Sequence, residues 1–306
     1  MTPSVPHDSG VPAALPMLNH VRSRVGAAIF ARVAGDDGPA NRDRIHLTPG
    51  PRWFAADAPI RQVHGDASMF VGGLRALLLQ SLHPLAMAGV AGHSGFRGDP
   101  WGRLQRTSTF LAVTTFGTAE HAELMIERVR AVHSRIRGTT PEGQPYAASD
   151  PRLLGWVHIA EIDSFLRAHQ VYGSSPLDTA GCDRYIAETG RVAEALGVVD
   201  PPRNQADLAA QLAVYRPELR GTPAARDAAR FLLLQAPLPL PARRGYGVLA
   251  AAAVGLMPRW TRWPLRLPYL PLAEATVVRA AGWGITSGIR FALTPPPSRE
   301  ISPAAV

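Results

Sequence analysis

Residues 66–92 are apolar on almost every side, and this run constrains the fold more than any other part of the chain. Leu74, Leu77, Leu78, Leu82, Leu85 and Val90 recur near helical spacing, and no Asp or Glu occurs between 67 and 98. A helix that is apolar all round must be enclosed by other helices or by lipid. The longest unbroken apolar stretch, Gly247–Met257, has about half of the roughly 20 residues a spanning helix needs. The run therefore reads as the buried central helix of a globular chain, kinked at Pro84 directly after His83.

The remaining segments supply its cover. Apolar spacing predicts helices over 21–33, 101–115, 151–171, 178–196, 204–214, 222–235, 243–257 and 271–292, and one more that starts near Thr118 and ends at Gly138. Asp99 is placed to cap the second of these with Pro100 in its first turn, and Ser149 or Asp150 to cap the third. Residues 34–60 read as polar and turn-rich, and 139–150 as a loop. Strand signals are few and no βα alternation occurs, which excludes a doubly wound sheet. The expectation is an all-α chain with a single mostly helical domain. An N-terminal arm and short helix occupy 1–33, the helical catalytic domain 34–294, and a disordered C-terminal tail 295–306.

Composition narrows the partners. Hydrophobic residues make up 46% and charged residues 18%, so the chain is globular rather than disordered. The net charge is +8, and every one of the 32 basic residues is Arg. Those arginines are spread out, with no basic run interleaved with stacking aromatics, so nucleic acid is not expected as a partner. Arginine-solvated helix surfaces account for most of the charge. One segment stands apart. Arg243 and Arg244 precede an apolar stretch, and Arg259, Trp260, Arg262 and Trp263 follow it. Residues 243–263 are therefore a candidate peripheral membrane contact, with a buried helix and a Trp-rich loop as the competing reading. Cys182 is alone, so no intramolecular disulfide forms. The N-terminus lacks a basic region followed by an apolar one. A cytoplasmic location, peripheral to a membrane at most, is the expectation.

Motif searches exclude several chemistries. There is no GxSxG elbow, no P-loop, no HExxH pair, no paired CxxC and no CxxCH. Two features remain. Arg103, Arg106 and Thr107 stand at i, i+3, i+4 on a predicted helix, so two guanidiniums and a hydroxyl share one face. Such a face can bind a propionate or phosphate, or simply meet solvent. His83, His133 and His158 each sit in a predicted helix. Each is either an iron ligand or a packed core histidine, and spacing does not choose between them.

These residues also carry a resemblance. Arg75-Ala-Leu-Leu-Leu-Gln80-Ser-Leu-His83-Pro84 and His93-Ser-Gly-Phe-Arg97-Gly-Asp-Pro-Trp101-Gly-Arg103-Leu-Gln-Arg106-Thr107 resemble signatures of the MpaB/latex-clearing oxygenase family (DUF2236). His133-Ser-Arg135-Ile-Arg137-Gly138 and Trp156-Val-His158-Ile-Ala-Glu161-Ile-Asp163-Ser-Phe165 continue in the same order, so the likeness spans roughly 60–290. It implies globin-like helix packing around a pocket for one non-covalent haem b, with dioxygen as co-substrate. His133 matches the proximal iron ligand, with Arg137, His158 and His83 as further cofactor-binding candidates. Arg103 and Thr107 match the catalytic distal Arg and Thr, and Arg106 stands where that family carries a Lys. The implied function is a haem b-dependent oxygenase acting on a hydrophobic small molecule such as an isoprenoid, with a candidate electron donor as partner. The acid-free interval 67–98 departs from that family, whose catalytic carboxylate precedes the distal Arg. A non-catalytic haem-binding redox protein and a peripheral membrane protein are therefore carried as alternatives.

Overall fold

A computed structural model describes residues 14–93 and 98–294. The arm up to residue 13, the 94–97 part of the second string and the 295–306 tail lie outside the described residues. The described chain is a single all-α domain with one small hairpin. In order, it comprises α1 (Ala14–Ala34), α2 (Gly38–Leu47), α3 (Pro59–His64), α4 (Met69–Gln80), α5 (Pro84–His93), α6 (Pro100–Phe116) and α7 (Ala119–His133). Strands β1 (Arg137–Thr139) and β2 (Pro145–Ala147) follow, then α8 (Pro151–Tyr172), α9 (Thr179–Leu196), α10 (Gln205–Tyr215) and α11 (Pro223–Leu234). The chain continues through α12 (Leu240–Gly255), α13 (Arg259–Leu265), α14 (Pro271–Ala273), a π-helical turn at Glu274–Val278, and α15 (Arg279–Leu293).

Helix starts follow the capping chemistry. Asp99 accepts from the Gly102 N–H, Thr118 from His121, Asp150 from Arg152 and Asp178 from Gly181. Pro100, Pro151 and Pro223 sit at first-turn positions, where no N–H is missed. At the end of α9, Gly197 takes φ +108°, a left-handed cap that favours glycine.

Four expectations are corrected. The 66–92 run is two helices, α4 and α5, bent by 106° across Ser81–His83. Pro84 has no N–H to give and disfavours helical backbone at His83, so the chain turns and restarts. The freed Leu82 carbonyl accepts from the Arg220 N–H at 2.7 Å. The helix expected to reach Gly138 stops at His133, because Arg137–Thr139 pairs antiparallel with Pro145–Ala147. A helix, α2, occupies part of the 34–60 segment, and α13 forms where a Trp-rich loop was the alternative.

The centre is the packing of α4 on α8. Gly72 makes this contact possible: a Cβ there would stand 2.9 Å from Phe165 Cδ1. Trp156, Ile159, Phe165, Leu78, Leu79 and Leu82 fill the interface. On the other side of α4, Val71 meets Tyr172, Ala252, Ala253 and Ile289 from α8, α12 and α15. Two ion pairs fasten these layers. Arg75, fully buried, reaches Asp163 at 2.7 Å and donates to the Ser164 hydroxyl and the Leu256 carbonyl. Arg290 on α15 clamps Asp66 at 2.9 and 3.0 Å and donates to the Tyr172 carbonyl. Among the described residues no single helix is long and apolar enough to cross a membrane.

Candidate cofactor site between two helix pairs

The central helices pack as two pairs. The α4–α8 pair and the α6–α7 pair are each closely packed, yet neither member of one pair forms a packed interface with either member of the other. The pairs are held apart by the elements around them. At one end α3 touches α6, α8 and α9; at the other, α5 packs on the hairpin that follows α7. Along one side α9 bridges α7 to α8, and α1 flanks α6.

Helices α4, α7 and α8 each carry a stripe of partly accessible positions. On α4 the buried positions alternate with a stripe, Met69, Gly73, Leu77 and Gln80, that keeps accessible surface. A Cβ added at Gly73 would meet nothing within 4 Å, although α4 is a central helix. On α8, Leu154, Val157 and Glu161 form the matching stripe. On α7, His121, Met125, Val129 and His133 line the inner face, while Glu120, Glu123, Glu127 and Arg128 face solvent. Helical periodicity places each set on one side.

Three polar side chains on these helices are poorly satisfied. His133 is half-buried and its ring has no hydrogen-bond partner among the described residues; burial lowers its pKa, which favours the neutral imidazole. His158 is 8% exposed, its Nε2 has no partner, and burial pulls it down to about 4. Glu161 makes no hydrogen bond or ion pair among the described residues, and burial raises its carboxyl from 4.5 to about 7. Of the three, only the His158 Nε2 is a fully buried atom without a partner, which is costly; His133 and Glu161 keep accessible surface. At the α3 end, His64 Nδ1 lies 2.8 Å from Thr115 Oγ1 on α6, and its Nε2 lies 3.4 Å from the Tyr185 hydroxyl on α9. Burial lowers His64 to about 3, so it is neutral. Burial, then the nearby Glu161 and Asp163, raises Tyr185 well above the usual phenol range.

The other predicted site residues have definite places. Arg103 is half-buried on α6; burial, then its neighbour Arg106, lowers its pKa. Arg106 and Thr107 are exposed, and Arg106 turns back to pair with the N-cap Asp99 at 3.2 Å. Arg137 is exposed on β1, donating to the Ser134 carbonyl. His83 is buried in the α4–α5 turn beside Trp156, with Nε2 3.3 Å from Glu218, which also pairs with Arg152. No group of three or more His, Cys, Asp or Glu side chains suits a metal ion among the described residues. A haem, unlike such a cluster, would be held through a single neutral imidazole. His133 on α7 offers a half-buried imidazole that burial keeps neutral, a side chain of the type that can hold a haem iron.

Sequence reasoning missed Gly73, Glu161's isolation and the His64–Thr115–Tyr185 network. Gly73 offered a signal, a glycine in an apolar helix, but its meaning depends on what stands opposite.

Residues 61–287 match the model of the family described as ER-bound oxygenase mpaB/B'/rubber oxygenase, catalytic domain. The chain belongs to that family, an oxygenase catalytic domain. It is also 33% identical over 100 residues to uncharacterized proteins of Mycobacterium bovis and Mycobacterium tuberculosis. Those matches cover 32% of this chain and 38% of each relative, so they span well under half of either protein. No solved structure matches the chain.

Proposed function

We propose that this protein is a haem b-dependent oxygenase acting on a hydrophobic small molecule, with isoprenoid and other lipophilic alkenes as the substrate class. The observation that carries the reading is the half-buried, unpartnered His133 imidazole on α7, kept neutral by burial, in a chain whose α6–α7 and α4–α8 pairs do not pack on each other. His133 would hold the haem, with Arg103 as the half-buried cation beside it and His158 as a further polar contact. Bound haem supplies the activation of dioxygen. The apolar stripes of α4, α7 and α8 bind the substrate and exclude water, which strengthens every charge interaction within.

Glu161 supplies what the acid-free interval before Arg103 lacks. A carboxyl titrating at about 7 can hold a proton or take one near neutral pH beside the substrate. Its stability signature needs no cofactor. The folded chain keeps this proton to higher pH than the unfolded chain, so Glu161 costs stability as pH rises from 4.5 to about 7. Glu161→Gln should match wild type in urea unfolding at pH 4 and exceed it at pH 8 by a few kcal/mol, at about 1.4 kcal/mol per pKa unit. Equal midpoints at both pH values would contradict the isolated carboxyl.

The oxygenase reading is tested by incubating haem-loaded protein with lipophilic alkenes under isotopically labelled dioxygen. Label in the product is expected, with turnover reduced in Glu161→Gln at unchanged haem content. Stable haem with no dioxygen uptake on any alkene would favour the non-catalytic haem-binding reading, which the missing upstream carboxylate also supports.

A further inference from the structure

We propose that the face formed by α13, α14 and the start of α15 docks on an anionic lipid bilayer. Trp263 is 90% exposed, Leu272 84%, Val277 71%, and Leu270 and Trp283 60% each. Single exposed apolar residues are ordinary, but five large ones within 263–283 are not. The apolar run of α12, which sequence left between membrane contact and buried helix, is packed inward through Leu249, Ala252, Ala253 and Val254. The contact therefore lies further along the chain, where the side chains are uncovered.

Charge selects the partner. Between 228 and 294 there are eight arginines and one acid, Glu274. That acid is taken up by the buried Arg262, at 2.9 Å. Arg266 and Arg279 are exposed on the same stretch, with no acid to offset them. Tryptophan and leucine flanked by arginine suit the headgroup boundary, where rings enter the acyl edge and guanidiniums meet phosphates. A second copy of this chain would press like charges together, which disfavours self-association. The inference rests on these surfaces and stands whether or not haem binds between the helix pairs.

The test is flotation of the full chain with vesicles of phosphatidylcholine alone or mixed with phosphatidylglycerol, at low and high salt. Two variants accompany it: Trp263→Ser with Leu272→Ser and Trp283→Ser, and Arg266→Glu with Arg279→Glu. Wild type is expected to float with the anionic vesicles only, and less at high salt. Each variant should lose about tenfold or more of that partitioning while its circular dichroism and melting stay as in wild type. Failure of wild type to float, or unchanged flotation in the triple serine variant, would overturn the proposal. So would a concentration-dependent dimer abolished by the serine substitutions without any flotation, which would make a second copy the occupant. Binding seen only after truncation behind Thr294 would assign the face to the C-terminal tail and also overturn it.

Discussion

Arg75→Ala is expected to lower the unfolding free energy by about 3–5 kcal/mol, the range for removing one partner of a buried ion pair. Arg75 has no exposed surface, and it ties α4 to Asp163 and Ser164 of α8 and to the Leu256 carbonyl behind α12. Truncation leaves the Asp163 carboxylate, itself 5% exposed, with only the solvent-facing Arg167 at 2.8 Å. It also leaves a cavity where the long side chain ran. Replacing both members, Arg75→Met with Asp163→Leu, should cost less than either truncation alone, since no charge is then stranded. Urea unfolding of the haem-free proteins measures this. A loss below about 1 kcal/mol for Arg75→Ala, typical of exposed pairs, would contradict the pair's assigned role.

Gly73→Phe is expected to abolish haem uptake while leaving the haem-free fold as stable as wild type or more so. Nothing stands within 4 Å of a Cβ at Gly73, and the proposed cofactor would lie beyond it, where the ring would compete. Removing glycine from a helix interior is itself worth roughly 0.5–1 kcal/mol. The neighbouring position provides the contrast. At Gly72 even a methyl would come within 2.9 Å of Phe165 Cδ1 and 3.1 Å of Phe165 Cα, so Gly72→Ala should destabilise by about 1–3 kcal/mol through overpacking. Thermal melting of the two variants and haem titration of Gly73→Phe check both halves. A strongly destabilised Gly73→Phe, or one that takes up haem like wild type, would place the cofactor elsewhere.

The neighbouring glycines mark how far sequence could carry the account. Both occur in one apolar helix, and only the position of α8 separates a contact from an open position. Elements with strong local signals were legible. Asp99-Pro100 and Asp150-Pro151 announce the starts of α6 and α8, and the apolar spacing of α8 and α9 gives their lengths. Helix α2 was not legible, because it buries little beyond Gly38 and Ile45 and so shows no periodic stripe. The hairpin was missed because three-residue strands carry no alternation to read. Among the site residues, His133 was singled out from His83 and His158 through family likeness rather than spacing. The structure sets apart only His83, engaged by Glu218; His133 and His158 both have unpartnered ring nitrogens and are kept neutral by burial. The Arg75–Asp163 pair joins residues far apart in the chain, and no local pattern links them.

His133 is proposed to hold one haem on α7. Ultraviolet–visible spectra of wild type and His133→Ala, with haem quantified per chain, test it most directly. Wild type expressed with haem supply should show a Soret band at about one haem per chain, as a single histidine holding the iron would give, and His133→Ala should lose or strongly shift that band at unchanged helical content. A wild-type protein without a Soret band, or a variant whose haem content and spectrum match wild type, would contradict it.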